Sequence, residues 1–469
     1  MPRLTRSSVS ALAAEVRMVH LGLGAFHRSH QAWYTQHASD SSPTPEGLAT
    51  PGAGGSVPSG TEPWGIHGFT GRTARAAEQL TAQDGLYTLL TASPTAVTAE
   101  VIGSIVAATD GGDAVRWRAA VSDPRVSVLT LTITEAGYHT TPDGTLDLTD
   151  AAVRDDIARL KTGALPHTGI ARLLDGLIAR RAAGSGPLAV MSCDNLVSNG
   201  ELTRAALTAL AEQTDSSMAD WMHEGVSFVS SMVDRITPAT TPADVVEAQR
   251  ITGFDDECPV MTEDFTEWIF EGDFPAGRPD WERSGARHVS DVRPYEQRKL
   301  RLLNGAHSLL AYTGLARGHS SIDQTMGDAF CRQVLEQFWA EARPTVTGDA
   351  GDLGAFTDRL VERFENRRIV HSLAQIARDG EQKIAIRVLP VLRFNAANGG
   401  ELVGAAMALA AWINFTQTAA SPTAADCDHS AERVLERIAP DLAGQTAVTH
   451  AVADALTEIR SSNRTKAAS

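Results

Sequence analysis

The sequence predicts an α/β chain, a doubly wound and mainly parallel sheet followed by a mainly α-helical domain. Three observations carry this. As far as about residue 285, short apolar runs alternate with helical stretches. The first of these runs closes on two glycines, where a strand passes straight into a helix. Beyond Val292 the apolar positions recur with helical spacing nearly throughout. A chain of 469 residues is also too long for one core. A domain over 1–290, interrupted by a flexible insertion at 41–63, and a second over 291–469 are expected.

Arg17 to Gly22 reads as the first strand, and HRSHQAWYTQHA after it as the first helix. SSPTPEGLATPGAGGSVPSGTEP at 41–63 offers almost nothing to bury and reads as a surface loop. Strand-like runs follow in WGIHGFT, LYTLLTA and VSVLTLTIT, then a helix near Ile170 to Ala183, then LAVMSCDN and VSFVSSMV. The polar passage RPDWERSGARHVSDVRPYE marks the change of domain. Helices are expected over Glu296–Gly314, Asp328–Ala340, Ala355–Asn366, Gly404–Phe415 and His429–Ile438.

The formal charge of −16, from 57 acidic residues against 41 Lys and Arg, repels nucleic acid and anionic membranes, so neither is an expected partner. An anionic substrate would have to be met by local cations. MPRLTRSSVSALAAEVRMVHLGLG lacks the apolar run of a secretory signal, and no window reaches the length of a membrane span. Cys193, Cys258, Cys331 and Cys427 are scattered, with neither a CxxC pair nor a metal-ligand cluster. Reduced thiols in a cytoplasmic protein without a metal site are the expectation.

In VHLGLGAFHRSH, Gly22 and Gly24 permit a tight turn and let the backbone approach a pyrophosphate, whose charge a helix N-terminus favours. That is the beginning of a Rossmann-type dinucleotide site. Two of the fingerprint's three glycines are present, and His27 occupies the third position. A GxG is weak alone, and a plain strand-to-helix turn is the alternative. The second strand should end in an acid that holds the ribose of NAD. It runs instead into HGFTGRTAR, with Gly71, Arg72 and Arg75 at that turn. Arg72 suits a 2′-phosphate, or both arginines are merely solvated, so NADP stays open beside NAD.

KLRLLNGAH at Lys299 to His307 sets three polar groups among leucines. At about 100° per residue, Lys299, His307 and Asn304 fall at roughly 0°, 80° and 140°, on one side of a helix. One lysine or histidine on a helix is ordinarily solvated or structurally satisfied; three on a segment built for burial point to a site. Oxidising a secondary alcohol requires removal of the hydroxyl proton and stabilisation of the developing alkoxide. A lysine desolvated among leucines suits the first task. Asn304 suits the second, as does Asn195 at the end of LAVMSCDN, where ligands of open sheets collect. His307 can orient the oxygen. YEQRK also fits the Y-x-x-x-K pair of short-chain dehydrogenases, but it lies past the α/β domain, and the spacing is read as coincidence.

VHLGLGAFHRSHQAWYT, TITEAGY, VMSCDN, MVDRITP, WIFEGDFPAGRPDWE and KLRLLNGAHS stand in an order and spacing that resembles the mannitol dehydrogenase family, the polyol-specific long-chain dehydrogenases. The likeness runs from roughly residue 17 to residue 415. It implies a cleft site between a Rossmann-type and a helical domain, metal-independent NAD(H) chemistry, and a monomer or weak homo-oligomer. By its motifs Lys299 is the general acid/base, Asn195 and Asn304 donate to the oxyanion, His307 positions substrate, Glu296 relays the proton and Asp234 faces the site. Ala25, Phe26, Glu135 and Asp194 join Gly22, Gly24 and Arg72 as expected cofactor-binding residues. In NRRIVHSLAQIARDGEQKIAIRVLP, His371, Gln375 and Lys383 resemble the fructuronate reductase branch, whereas mannitol 2-dehydrogenases carry arginine at the Gln375 position. A linear sugar acid (D-mannonate/D-fructuronate) is therefore the expected substrate, bound by Lys383 and Arg387. A polyol dehydrogenase is the alternative, and a dinucleotide-binding sensor without turnover is the alternative of another class.

Overall fold

A computed structural model describes residues 1–38, 62–141, 144–369, 371–417 and 424–467. The loop expected at 41–63 lies outside them, apart from Glu62 and Pro63. The described residues form two units, Met1–Val292 and Arg293–Ser469.

The strands of the first unit, in chain order, are β1 (Glu15–Leu21), β2 (Trp64–Phe69), β3 (Tyr87–Ala92), β4 (Val97–Ile102), β5 (Ile105–Thr109), β6 (Val128–Leu131), β7 (Leu188–Ser192), β8 (Val226–Asp234), β9 (Val260–Glu263), β10 (Glu267–Glu271) and β11 (Arg287–His288). Among the described residues the larger sheet runs β11-β10-β8-β7-β6-β1-β2-β5. From β5 to β8 every pairing is parallel, and counted along the chain these six strands lie in the order third, second, first, fourth, fifth, sixth. The direction of winding reverses between β1 and β6, the topological switch point at which such sheets bind ligands. Both faces are covered. Leu131, Val190 and Leu207 belong to one core and Met18, Ile66 and Trp268 to the other, which is why the strands read as continuous apolar runs.

The expected sheet needs two corrections. LYTLLTA is not in it: β3 pairs antiparallel with β4 and parallel with β9 in a separate three-stranded sheet. An apolar run buried on both sides does not say which sheet it joins. The outer parallel strand is instead β5, IVAAT, whose alanines give little β signal.

The second unit is helical. Its central helix, Val403–Thr416, is buried from Gly404 to Ile413. A Cβ on Gly404 would lie 2.3 Å from the Phe338 nitrogen, so glycine here lets the helix Ala329–Ala342 pass closely. Glu341 on that helix accepts from the Gly404 and Ala405 amides at 2.7 and 2.8 Å, capping the central helix with a buried carboxylate.

Candidate active site

Gly22 leaves β1 at φ +104°, and its amide and that of Leu23 both donate to the Phe69 carbonyl at 2.9 Å. A Cβ on Gly22 would stand 2.1 Å from the Thr132 carbonyl oxygen. The turn is thus held between β2 and β6, at the switch point. A Cβ on Gly24 would meet nothing nearer than the Gly22 oxygen at 3.5 Å, so the space beside it is open.

The helix after this turn is not continuous as expected. It breaks at His30 (φ −117°, ψ −88°) into Ala25–Ser29 and Gln31–His37. His27, in the third-glycine position, is buried, and its ring stacks on His20 at 3.4 Å with an 11° interplanar angle. His20 is fixed by the Thr130 and Thr132 hydroxyls at 2.8 and 3.1 Å. The stack fills the volume that a glycine would have left for close helix-to-strand packing. Arg235, buried just past β8, anchors the first short helix through the Ser29 carbonyl at 2.6 Å and lies over the Trp33 ring. Burial lowers its guanidinium to about 10. MVDRITP contains Arg235, but nothing local shows that its partner lies some two hundred residues earlier.

At the end of β7, Asp194 accepts from the Ile133 and Thr134 amides at 3.0 and 2.7 Å and from the Tyr138 hydroxyl at 2.9 Å. Desolvation raises its carboxyl to about 6 against these stabilising bonds. It holds the loop that carries the exposed Glu135, with Thr134 at φ +68°. Asn195 follows, exposed, and Asp234 ends β8, buried. Asn199, which the sequence motifs do not single out, ties this corner together: its amide donates to the Asp194 and Ser231 carbonyls and accepts from the Ser231 amide. Arg72 is exposed beyond β2.

In the second unit the expected α-helix Glu296–Gly314 is three segments: α-helical Arg293–Arg298, π-helical Lys299–Asn304 and α-helical Gly305–Ala316. The Gly305 amide reaches back five residues to the Leu300 carbonyl. An i→i+5 turn sets residues five apart about as near in azimuth as an α-helix sets residues four apart, where the α-helix would part them by about 140°. Asn304 is therefore turned toward the azimuth of Lys299, and the angles expected from an α-helix are replaced. Lys299 and His307 are half-buried, Glu296 and Asn304 buried. Among the described residues the Asn304 Nδ2 is enclosed and finds no hydrogen-bond acceptor, and a buried donor left unpaired calls for an explanation.

The His307 ring packs on Phe364 at 4.7 Å and edge-on to His371 at 5.7 Å. The Ser308 hydroxyl donates to the Asn304 carbonyl and receives the buried Arg387 guanidinium at 3.3 Å. Gln375 is exposed on the short helix Leu373–Ile376. The Lys383 ammonium donates to the Ile376 and Arg378 carbonyls at 3.1 and 2.5 Å, closing the end of that helix. Among the described residues no group of three or more His, Cys, Asp or Glu is arranged to hold a metal ion, and no helix is long and apolar enough to cross a membrane.

The family model of the mannitol dehydrogenase Rossmann domain matches residues 16–283, and that of the mannitol dehydrogenase C-terminal domain matches 291–459. The chain belongs to the mannitol dehydrogenase family. It is similar to D-mannonate oxidoreductase of Escherichia coli (strain K12), 36% identical over 410 residues, 86% of this chain and 80% of that protein. It is 35% identical over 418 residues to D-arabinitol 4-dehydrogenase of Ralstonia nicotianae, covering 88% and 85% of the two chains. Among solved structures it resembles the Pseudomonas fluorescens mannitol 2-dehydrogenase ternary complex with NAD and D-mannitol, with a TM-score of 0.81 and 30% identity over 99% of this chain and 98% of that one.

Two buried and two half-buried histidines of this mannitol dehydrogenase family chain set a pH prediction. Desolvation lowers His20 to about 3 and His67 and His371 to about 4, and takes His27 well below 6.5. Between these values and 6.5 the unfolded chain binds more protons, so the histidine contribution is present above 6.5 and is lost as pH falls toward 4. Asp194, raised to about 6 from 3.8, works the other way over part of the window. Burial also raises the carboxyls of Glu341 and Asp280, which act with Asp194, and against these three the four histidines are expected to keep the net slope positive. Tm followed from pH 7 to pH 4 should fall, and His67→Gln, which keeps a partner for the Thr109 hydroxyl, should flatten the fall. Equal slopes for the two proteins would mean that His67 is not held neutral.

Proposed function

We propose that this dehydrogenase interconverts a secondary alcohol and a ketone on a linear sugar acid, in the manner of a D-mannonate/D-fructuronate oxidoreductase, with NAD as cofactor. The single observation that carries the chemistry is the buried Asn304 Nδ2, without an acceptor among the described residues, on the same π-turn as Lys299.

NAD fits the residues present. The Gly22 turn lies at the switch point, and the space beside Gly24 is open to a pyrophosphate. The amides from Gly22 to Phe26 would hold the phosphates, Arg72 the adenosine ribose, and the loop clamped by Asp194, with Glu135, the nicotinamide side. Bound NAD supplies the hydride acceptor and, when reduced, the donor. The other tasks belong to the chain. Lys299 takes the hydroxyl proton in oxidation and returns it to the carbonyl oxygen in reduction. Asn304 and Asn195 donate to that oxygen as charge builds on it. His307, braced by Phe364 and His371, orients it, and Asp234 holds a neighbouring hydroxyl. Buried Glu296, one turn before Lys299, passes the proton outward.

A carboxylate on the substrate needs a cation in a chain of net charge −16. Arg387, buried beside Ser308 and the π-turn, is the cation proposed to meet it, with Lys383, whose ammonium donates to two carbonyls, as the other. The relatives include a D-mannonate oxidoreductase and a D-arabinitol 4-dehydrogenase, so a polyol is the second reading. Reduction of D-fructuronate, D-tagaturonate and D-fructose, each with NADH and with NADPH, separates them. D-fructuronate should give the highest kcat/KM, and Arg387→Leu should lower it roughly 100-fold while changing D-fructose turnover little. Preference for D-fructose, or an equal effect of Arg387→Leu on both, would replace the sugar acid with a polyol.

A further inference from the structure

Thr134, a few residues past the end of β6, holds a backbone conformation that its own side chain opposes. Its φ of +68° and ψ of 160° lie in a region that glycine occupies freely and a β-branched residue avoids. Among the described residues six non-glycine residues have positive φ, and three of them, Thr134, His139 and Ser198, stand on the loops that follow β6 and β7. One corner of the sheet thus carries half of them. That corner adjoins Gly22, whose carbonyl accepts from the Thr132 hydroxyl at 3.0 Å.

The Asp194 carboxylate grips the chain on both sides of the strained bond. Upstream its two oxygens accept from the Ile133 and Thr134 amides, at 3.0 and 2.7 Å. Downstream it accepts from the hydroxyl of Tyr138, whose ring is fully buried in the core. Between the two grips the Gly137 amide donates to the Thr134 carbonyl at 2.9 Å and closes a single 3-10 turn, Glu135–Tyr138. With both ends fixed, relaxing φ at Thr134 would swing this turn outward and pull the tyrosine from its place. Asp194 is itself held, because its carbonyl accepts from the Asn199 amide at 2.8 Å. Freed of the clasp, residues 133–137 could share the change of direction among them, and Thr134 would relax.

We infer that Asp194 and Thr134 are positioning residues for the cofactor: the carboxylate holds Thr134 in its strained conformation, and that conformation presents the exposed tip 134–136 to the nicotinamide half of NAD. Both Asp194 oxygens are engaged with the chain itself, so the residue serves NAD through the loop. The inference rests on the reading given above, that this loop meets the nicotinamide side.

Strain of this kind separates glycine from threonine, which supplies the test. In the full chain Asp194→Asn keeps the shape of the side chain but sets an amide group against one of the donors. It should weaken NADH binding roughly 30-fold, about 2 kcal/mol, because the relaxed turn must be strained again to admit the cofactor. In a Thr134→Gly background the same substitution should weaken binding no more than about 3-fold, since glycine takes the conformation without strain. Stability should change sign. Thr134→Gly should raise Tm by about 3 °C where Asp194 is intact, and should lower it in the Asp194→Asn protein, where only glycine's greater freedom in the unfolded chain is left. A carboxylate that merely supported the fold would give no such rescue of Kd.

Additive losses of NADH affinity in the double variant would overturn the inference and leave the loop at the cofactor. Parental Kd in a folded Asp194→Asn protein would overturn it differently, by showing that this loop does not serve NAD at all. A Thr134→Gly protein less stable than the parent would also overturn it, since Thr134 would then carry no strain. If Asp194→Asn does not fold, Tyr138→Phe removes one bond of the clasp and keeps the buried ring. A roughly 5-fold loss of NADH affinity that Thr134→Gly abolishes supports the inference, and equal losses in the two backgrounds, or none, overturn it.

Discussion

Replacing Lys299 by alanine is expected to lower kcat about 1000-fold in both directions, the scale of a lost general acid/base. The residue is half-buried at the first position of the π-turn, and no other amine is placed on that turn to take its work. The Kd for NADH should be unchanged, because the turn proposed to hold the cofactor belongs to the other unit. Tm should move by no more than about 2 °C, since a half-buried lysine contributes little packing. The pH profile gives a sharper test. In the parent, kcat for alcohol oxidation should rise with pH as the base becomes free, and in Lys299→Ala that limb should vanish. Added methylamine should restore part of the rate by entering the space that the side chain vacated. Parental kcat in this variant, or a profile that keeps its limb, would remove Lys299 from the chemistry and with it the role given to Asn304.

The residues proposed for that site stand out in the sequence because each breaks a local rule. A lysine, an asparagine and a histidine on a leucine-rich helix face stand out against a pattern otherwise suited to burial, and Gly22 stands out where a strand must turn sharply. What stayed hidden depends on distant partners. The π-turn packs against a helix that begins some thirty residues later, whose Trp339 indole donates to the Leu302 carbonyl, and nothing in KLRLLN distinguishes the turn from α-helix. Likewise Asp194 enters the sequence reading as an expected cofactor-binding residue, and nothing local shows the two amides and the tyrosine hydroxyl that the fold brings to it from TITEAGY. Lys383 reads as a cation for a carboxylate, and nothing near it in sequence shows that its ammonium closes a short helix. β5 was hidden for a simpler reason: it is five residues long with two alanines at its centre, and pairing with β2 places it.

The two glycines of the first turn should respond to alanine in opposite ways. At Gly22 a methyl group would overlap the Thr132 carbonyl oxygen at 2.1 Å, against backbone already fixed by the Thr132 amide on Leu21. A φ of +104° adds the strain of a conformation that L-residues avoid. Together these should destabilise the first unit by about 3 to 5 kcal/mol and lower its Tm by roughly 10 °C. At Gly24 the backbone is extended and the methyl group would meet only an ordinary van der Waals neighbour at 3.5 Å, so Gly24→Ala should fold with Tm within about 2 °C of the parent. Its methyl group would enter the open space proposed for the pyrophosphate and push the phosphates off the backbone amides. NADH should then bind more weakly, by about 100-fold in Kd if two charge-assisted hydrogen bonds are broken. Thermal unfolding and NADH fluorescence titration read the two effects separately. A Gly22→Ala protein as stable as the parent would contradict the turn geometry. Parental NADH affinity in a folded Gly24→Ala protein would mean that the phosphates lie elsewhere than against this turn.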